Sequence, residues 1–263
     1  MQTKTFKGDF LKFKTMLEKG ENFAFSRFSD GELFILQNKR LELRENDYII
    51  GDQIGHGWYN KEEQKKFIPG EHEFFRFKLE ESLKHKQKNY FKGISCKCCV
   101  GDESFKWQVD LSGGNDEDLT WSNLFINGNY EQYIKEILPI FRKKKVVMVV
   151  NEISKIQNTK FDIVNDFRVG TNCFINDYDI IKKISDYISD NKINNHLFLI
   201  SAASLSNLII KELFEKYPNN TYMDIGSSLN PILSMEGWKG SRSYLLEFWL
   251  GQPKNILNKI CVW

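Results

Sequence analysis

The second half of the chain alternates short apolar runs with longer amphipathic segments. The apolar runs cover residues 146–150, 196–201 and 221–225, and the amphipathic segments cover 177–191 and 205–217. A continuous apolar run is typical of a strand that is buried on both faces of a parallel sheet. Strand, helix and strand in succession form a right-handed unit. The pattern predicts an α/β fold, Rossmann-like, with a mostly parallel sheet flanked by helices and its ligand site at the carboxyl ends of the strands.

The first half of the chain shows the same alternation more weakly. Apolar residues at helical spacing predict helices over 5–18, 71–88 and 130–142, and short apolar runs predict strands over 23–28 and 90–96. Asn60 followed by Glu63 is a capping-box pattern and predicts one more short helix. We expect one domain over residues 1–263, because no internal repeat or long linker interrupts the sequence.

Composition and charge exclude several functional classes. The formal net charge of +2 gives no broad basic field of the kind that would make nucleic acid the main partner. No run of about 18 apolar residues predicts a transmembrane helix, and residues 1–10 lack the apolar core of a signal peptide. The five cysteines, an odd number, favour reduced thiols in a cytoplasm. We therefore expect a cytoplasmic protein, in a bacterial cell or a virus-infected host cell.

A motif of two carboxylates flanking a glycine, Asp30-Gly31-Glu32, lies at the predicted junction of a strand and a helix. Gly31 allows a tight turn, and two hard oxygen ligands then face one point, which suits Mg²⁺ or Mn²⁺ on a diphosphate. Arg27 precedes the pair and has the geometry to hold a phosphate with two hydrogen bonds. The structural alternative is a helix start, with an N-cap aspartate, a first-turn glutamate and a surface arginine.

Polar and small residues follow the other predicted strands, where a ligand would be met. Small residues before a helix let its backbone amides approach a phosphate. The alternative for each segment is a compact turn. The candidates are Asn151 and Glu152, Ser201 and Ala202 in the segment 201–204, and Asp224, Gly226, Ser227, Ser228 and Asn230 in the segment 224–231.

Three cysteines lie close together in the sequence at Cys96, Cys98 and Cys99. Three thiols are suitable zinc ligands, and a fourth ligand would have to come from Cys261 or a histidine. The alternative is a set of incidental thiols.

Two further segments have both a functional and a structural interpretation. The basic run 142–145 is either a solvated helix end or a contact for phosphate or nucleic acid. His56 lies among glycines near Trp58 and Tyr59, which indicates either an active-site loop with an aromatic platform for a sugar or an ordinary turn.

Taken in order, these segments resemble the glycosyltransferases of the GT-D type. The similarity runs from about Phe25 to Ile225. Its motifs are SRFSDGE at 26–32, TWSNLF at 120–125, the strand ending in VNE at 150–152, SAA at 201–203 and DIG at 224–226. A closer similarity is to a branch with a CxCC segment, a GSxxDP-like segment and a late Arg-x-Tyr. The corresponding segments here are ISCKCC at 94–99, GSSLNP at 226–231 and Arg242-Ser243-Tyr244.

The resemblance implies a donor site for a nucleoside-diphosphate sugar and a divalent cation, Mn²⁺ or Mg²⁺. Asp30 and Glu32 would bind the metal and the diphosphate, with Arg27 nearby. The candidate residues at the other strand ends would bind the nucleotide, together with Asn123 and Arg242. Related sequences carry an aspartate where Asn230 stands here. An amide cannot accept a proton as a base, so we expect Asp224 or Glu236 to take that role, or a retaining reaction, or impaired catalysis.

The same resemblance implies a hydroxyl acceptor and leaves its class open. A bacterial surface glycan or a glycoprotein is the first expectation. A hydroxymethylated base in phage DNA is the second, and the basic run 142–145 favours it. A third possibility is that the chain binds a nucleotide sugar without transferring it. A homo-oligomer is compatible with all three possibilities.

Overall fold

A parallel sheet of seven strands lies at the centre of the part of the chain that the structure describes, residues 5–56, 62–114 and 117–236. In this computed structural model a smaller antiparallel sheet of four strands accompanies it. Along the chain, the strands are β1 (Ala24–Phe28), β2 (Leu41–Leu43), β3 (Asp47–Ile50), β4 (Gln53–His56), β5 (Lys66–Phe67), β6 (Tyr90–Ile94), β7 (Leu119–Trp121), β8 (Lys145–Asn151), β9 (Asp162–Val169), β10 (Leu197–Ile200) and β11 (Thr221–Asp224). The large sheet has the order β7-β6-β1-β11-β10-β8-β9, and the small one β4-β3-β2-β5.

Helices connect and cover the strands of the large sheet. They are α1 (Phe6–Lys19), α2 (Asp30–Leu36), α3 (Glu73–Lys84), α4 (Lys97–Leu111), α5 (Tyr130–Gln132), α6 (Leu138–Phe141), α7 (Cys173–Asn176), α8 (Ile180–Asp190) and α9 (Leu205–Lys216). The predicted Rossmann-like α/β fold is confirmed. No helix among the described residues has both the length and the apolar composition needed to span a bilayer.

The predicted helix over 130–142 is not continuous. It consists of α5, a π-helical turn at Tyr133–Ile137 and α6. Pro139 lies in the first turn of α6 and has no backbone N–H to donate to the preceding turn. The backbone hydrogen bonds before the proline therefore follow the wider π-helical pattern.

The prediction of a short helix from Asn60 and Glu63 is wrong for the residues from 62 onward, which the structure describes. Asn60 lies outside the described residues. Residues 62–65 form no helix: a turn at 62–63 and two irregular residues lead into β5. A polar stretch without apolar spacing carries no signal that separates a capped helix from a turn before a strand. The small sheet, α4, α7, β7 and β9 are additions to the predicted elements.

The apolar run of β8 is buried on both faces of the sheet. Val147 and Val149 belong to the core on one face, whereas Val146, Met148 and Val150 belong to the core on the other. Residues of a strand point alternately to its two faces, so only a continuous apolar run fits this position.

An aromatic cluster holds α1 against the sheet. The ring of Phe13 lies 5.1 Å from that of Phe91, 5.2 Å from Phe23 and 5.3 Å from Phe25. Phe125 completes the cluster at 6.0 Å. Offset and edge-on aromatic pairs add to the free energy of burying their surface, and the cluster accounts for part of the high phenylalanine content of 21.

We expect Phe13→Ala to lower the free energy of unfolding by about 3–5 kcal/mol, because a fully enclosed ring leaves a cavity. Urea denaturation measures the change. Leu11→Ala is the matched control, since Leu11 belongs to the same helix but is 47% exposed. A similar loss for both variants would contradict a core centred on Phe13.

Candidate functional site

A cavity of about 270 Å³ lies at the carboxyl ends of the parallel strands, the edge where the sequence predicts the ligand site. The ends of β1, β11, β10 and β8 form its floor, and residues of the small sheet and of the turn before β5 form a facing wall. The predicted residues that line it are Arg27, Asp30, Glu32, Asn151, Ser201, Ala202, Asp224, Gly226, Ser227 and Asn230.

Arg27 is held rigidly near the end of β1. Its Nε donates to the carbonyl oxygen of Ser122 at 2.6 Å, and its Nη2 donates to Ser29 Oγ at 3.4 Å. Nη1 lies 3.6 Å from Asp224 Oδ1. A Cβ atom at Gly226 would lie 1.7 Å from Nη1, so only glycine at that position leaves space for the guanidinium. Arg27 is therefore a fixed positive charge on the floor of the cavity.

Asp224 ends β11 as a buried carboxyl group that also lines the cavity. Its Oδ1 accepts a hydrogen bond from the backbone N–H of Gly226 at 2.9 Å. Burial raises the pKa of Asp224 to about 6; the charge of Arg27 opposes this shift and that of Glu32 adds to it. A carboxyl group with a pKa in this range can exchange a proton near neutral pH, which makes Asp224 suited to general base catalysis.

Glu32 is buried in the first turn of α2 and has a hydrogen-bond partner on both carboxylate oxygens. Oε2 accepts from the backbone N–H of Ser29 at 3.0 Å, which makes Ser29, not Asp30, the N-cap. Oε1 accepts from Lys65 Nζ at 2.9 Å and from Ser204 Oγ. Burial alone would raise the pKa of Glu32, but Lys65 and these hydrogen bonds hold it below its usual value.

The carboxylates of Asp30 and Glu32 do not fit a divalent cation held between them in this arrangement. Asp30 is exposed, and its Oδ1 accepts from the N–H of Gly31 at 3.1 Å. The ammonium of Lys65 lies over Gly31, where an added Cβ would be 3.0 Å from Nζ. A chelated ion would have to displace this ammonium and take lone pairs that Glu32 already uses in three hydrogen bonds. In this arrangement Glu32 is a buried ion-pair partner at the start of a helix, and its role as a metal ligand stays a prediction.

Several predicted residues at the strand ends make hydrogen bonds that hold the cavity together. Ser201 Oγ donates to the carbonyl oxygen of Gly226 at 2.8 Å and so joins the ends of β10 and β11. Asn151 Nδ2 donates to the carbonyl oxygen of Glu62 at 3.0 Å and joins the end of β8 to the facing wall. The backbone N–H of Ala202 donates to Ser206 Oγ, which orders the turn before α9.

Other predicted donor-binding residues lie away from the cavity. Ser228 is buried, donates to Tyr133 Oη at 3.1 Å and accepts through its carbonyl from Tyr130. Asn123 is buried and donates to Cys99 Sγ at 3.6 Å. Both side chains therefore have structural partners outside the predicted site. Glu152 is exposed beside the rim, and Arg242 lies outside the described residues.

The wall that faces the strand ends is not among the features predicted from the sequence. Glu62, Glu63 and Lys65 line the cavity from the turn before β5, and Cys173 lines it from α7. This turn has no apolar residues at a regular spacing. A signal for its burial in the sequence is the Lys65–Lys66 pair just before Phe67. Strand alternation in that short run places one lysine inward with Phe67 and the other outward, and Lys65 is the buried one.

The three cysteines converge at the start of α4, on the same edge of the sheet. Cys96 Sγ lies 3.0 Å from Cys98 Sγ and 3.2 Å from Cys99 Sγ. This arrangement is compatible with a soft metal, and zinc binding stays a prediction. Cys261, the suggested fourth ligand, lies outside the described residues.

The basic run 142–145 lies at the amino end of β8, whereas the cavity lies at the carboxyl end. The length of the strand separates them by about 20 Å. The run therefore does not extend the cavity surface. His56 ends β4 as an exposed residue, and its neighbours Trp58 and Tyr59 lie outside the described residues.

Solved structures share this fold at low sequence identity. A highly conserved domain of unknown function 1792, described as having a distinct glycosyltransferase fold, matches at 16% identity and a TM-score of 0.53, over 88% of this chain and 79% of that chain. A new glycosyltransferase (DUF1792) from Streptococcus sanguinis matches at 14% identity and a TM-score of 0.52, over 95% of this chain and 85% of that chain. No family model and no curated protein matches the sequence. The predicted resemblance is confirmed for the fold.

We expect Gly226→Ala to destabilise the protein more than Gly51→Ala, the matched control. Both glycines have positive φ, 46° and 60°, which costs an alanine about 1–2 kcal/mol. Only Gly226 is also packed against Arg27, whereas nothing lies within 4 Å of a Cβ at Gly51. Urea denaturation should show a further loss of about 1–3 kcal/mol for Gly226→Ala.

A double-mutant cycle tests the cause. With Arg27→Ala in both backgrounds, the additional cost of Gly226→Ala should disappear because the clashing group is gone. An additional cost that persists would show that the guanidinium is not its source.

Proposed function

We propose that this chain is a glycosyltransferase that moves a sugar from a nucleoside-diphosphate sugar to a hydroxyl group of an acceptor. The observation that carries the proposal is the pairing, on one cavity floor, of the fixed guanidinium of Arg27 with the buried carboxyl group of Asp224. The fold shared with structures described as glycosyltransferases supports the same activity. Direct displacement at the anomeric carbon uses a positive group for the departing diphosphate and a base for the attacking hydroxyl.

In the proposed reaction, Arg27 stabilises the leaving group. The bond between the anomeric carbon and the diphosphate oxygen breaks, and negative charge develops on that oxygen. A guanidinium that is already oriented by Ser122 and Ser29 needs little reorganisation to stabilise this charge. Ser201, Ser227 and Asn151 surround the same space and are suited to hydrogen bonds with the nucleotide.

Asp224 is the proposed general base. It would accept the proton of the acceptor hydroxyl while that oxygen forms its bond to the anomeric carbon. Asn230 also lines the cavity but cannot take this role, since an amide is not a base at neutral pH. The raised pKa of Asp224 supports the choice, because it brings the group closer to the pKa at which general base catalysis is efficient.

We propose a surface glycan or a glycoprotein as the acceptor. The argument for a DNA acceptor was the basic run 142–145. This run lies at the opposite edge of the sheet from the cavity, so it does not favour DNA as a ligand of the cavity. An electrophoretic shift of duplex DNA that weakens with salt would overturn this choice.

A thermal-shift screen tests the donor. We expect one nucleoside diphosphate and its sugar conjugates to raise the melting temperature, since a ligand at about 100 times its Kd adds about 2.7 kcal/mol to the stability. The ligand found is then tested for transfer to candidate acceptors and for slow hydrolysis. Stabilisation without transfer or hydrolysis would favour a binding protein without turnover.

We expect Asp224→Asn to lower the rate of transfer by about 10²–10⁴-fold with little change in nucleotide binding. Asp190→Asn is the matched control, because Asp190 is an exposed residue at the end of α8. Steady-state kinetics and calorimetry measure the two quantities. A transfer rate that the Asp224 variant retains in full would contradict the base assignment.

The same assignment predicts the pH profile. A base must be ionised to accept a proton, so kcat/KM should rise with pH through the pKa of Asp224, about 6, and level off above it. A profile that is flat between pH 5 and 8 would exclude Asp224 as the group that limits the rate.

A further inference from the structure

Lys65 is a buried cation at the centre of the site. Its side chain is 4% exposed, and its Nζ lies 2.9 Å from Glu32 Oε1. The ammonium also lies beside Gly31, where an added Cβ would be 3.0 Å from Nζ. Lys65 is also one of the residues that line the cavity.

The surrounding carboxylates keep Lys65 charged. Burial alone would lower its pKa, but the charges of Glu32, Glu63 and Asp30 outweigh this effect and hold the pKa above its usual value. A buried ion pair of this kind is often no better for stability than an apolar pair of similar size. Its presence at the wall of a cavity therefore points to a role in binding.

We infer that the Lys65 ammonium is the resident cation of this site, in the place where Asp30 and Glu32 would otherwise hold a divalent ion, and that it binds the diphosphate of the donor directly. The diphosphate contact rests on the proposed function. The exclusion of a divalent ion from the pair rests on the positions of Lys65 and Ser204 around Glu32 alone.

The chemistry of an ammonium suits this role. It has three N–H donors, so it keeps the bond to Glu32 and donates another to a phosphate oxygen. Arg27 lines the same cavity, and the two side chains together supply two positive charges to a diphosphate. Glu32 is then a positioning residue, which holds the ammonium over Gly31 and joins it to Ser204 at the start of α9.

Direct binding of Mn²⁺ is the first test. Electron paramagnetic resonance of free Mn²⁺ is recorded while the full chain is added, in the absence of any phosphate. We expect the signal to stay unchanged by the wild-type protein and by Glu32→Gln alike. A loss of about one equivalent of Mn²⁺ with the wild type that Glu32→Gln abolishes would overturn the inference, whether or not the protein transfers sugars.

Binding of inorganic pyrophosphate is the second test, by calorimetry in EDTA and again with Mn²⁺. We expect binding in EDTA. The paired variant Lys65→Met with Glu32→Gln, which leaves no buried charge unpaired, should bind about tenfold more weakly or worse. Lys66→Met is the matched control and should bind as the wild type does, because Lys66 is the exposed neighbour. Circular dichroism and urea denaturation establish that each variant is folded.

Two outcomes would overturn the inference in different ways. Pyrophosphate binding that requires Mn²⁺ would overturn the role of Lys65 and leave the proposed glycosyltransferase intact. A folded Lys65→Met, Glu32→Gln variant with wild-type affinity in EDTA would overturn the diphosphate contact in the same way. Absence of pyrophosphate binding under both conditions would overturn the donor site itself.

Discussion

The buried carboxylate of Glu32 is the contact on which the site depends. It accepts hydrogen bonds from Ser29 in the turn after β1, from Lys65 in the turn before β5 and from Ser204 before α9. These groups come from three separate parts of the chain, so one carboxylate joins the floor of the cavity to its facing wall. Removing one partner of a buried charge is costly because the other partner stays buried without compensation. The small antiparallel sheet is thereby tied to the large parallel one at the point where a ligand would bind.

The charged side chains that line the cavity are held in place in two different ways. Arg27 and Asp224 lie on neighbouring strands of a rigid sheet, where register fixes their separation. Lys65 comes from a turn and depends on ion pairing to keep its place. Groups on strands suit steps that need constant geometry, such as stabilising charge and moving a proton.

The fold was predictable where burial leaves a simple pattern. The strands β8, β10 and β11 are buried on both faces and read as apolar runs, and α8 and α9 carry an apolar stripe. β9 was not predictable in this way, because it is an edge strand with polar residues such as Asn165 and Asp166. The expectation that a ligand binds at the carboxyl ends of parallel strands located Arg27, Ser201 and Asp224. It could not locate Lys65, whose burial depends on a tertiary ion pair, and the run of three residues around it is too short for its alternation to be recognised as a strand.

The close packing of Gly226 against Arg27 has a consequence for the divergence of such proteins. With 1.7 Å between Nη1 and a virtual Cβ, a side chain at position 226 is incompatible with the guanidinium of Arg27 in its present position. A replacement of Gly226 therefore requires either that the guanidinium moves away from Asp224 or that the arginine is lost. Homologues that keep the arginine should keep the glycine, and a homologue with a larger residue at position 226 would have to bind its ligand's negative charge by other means. The pair thus works as a two-position signature for tracing which relatives retain this form of the site.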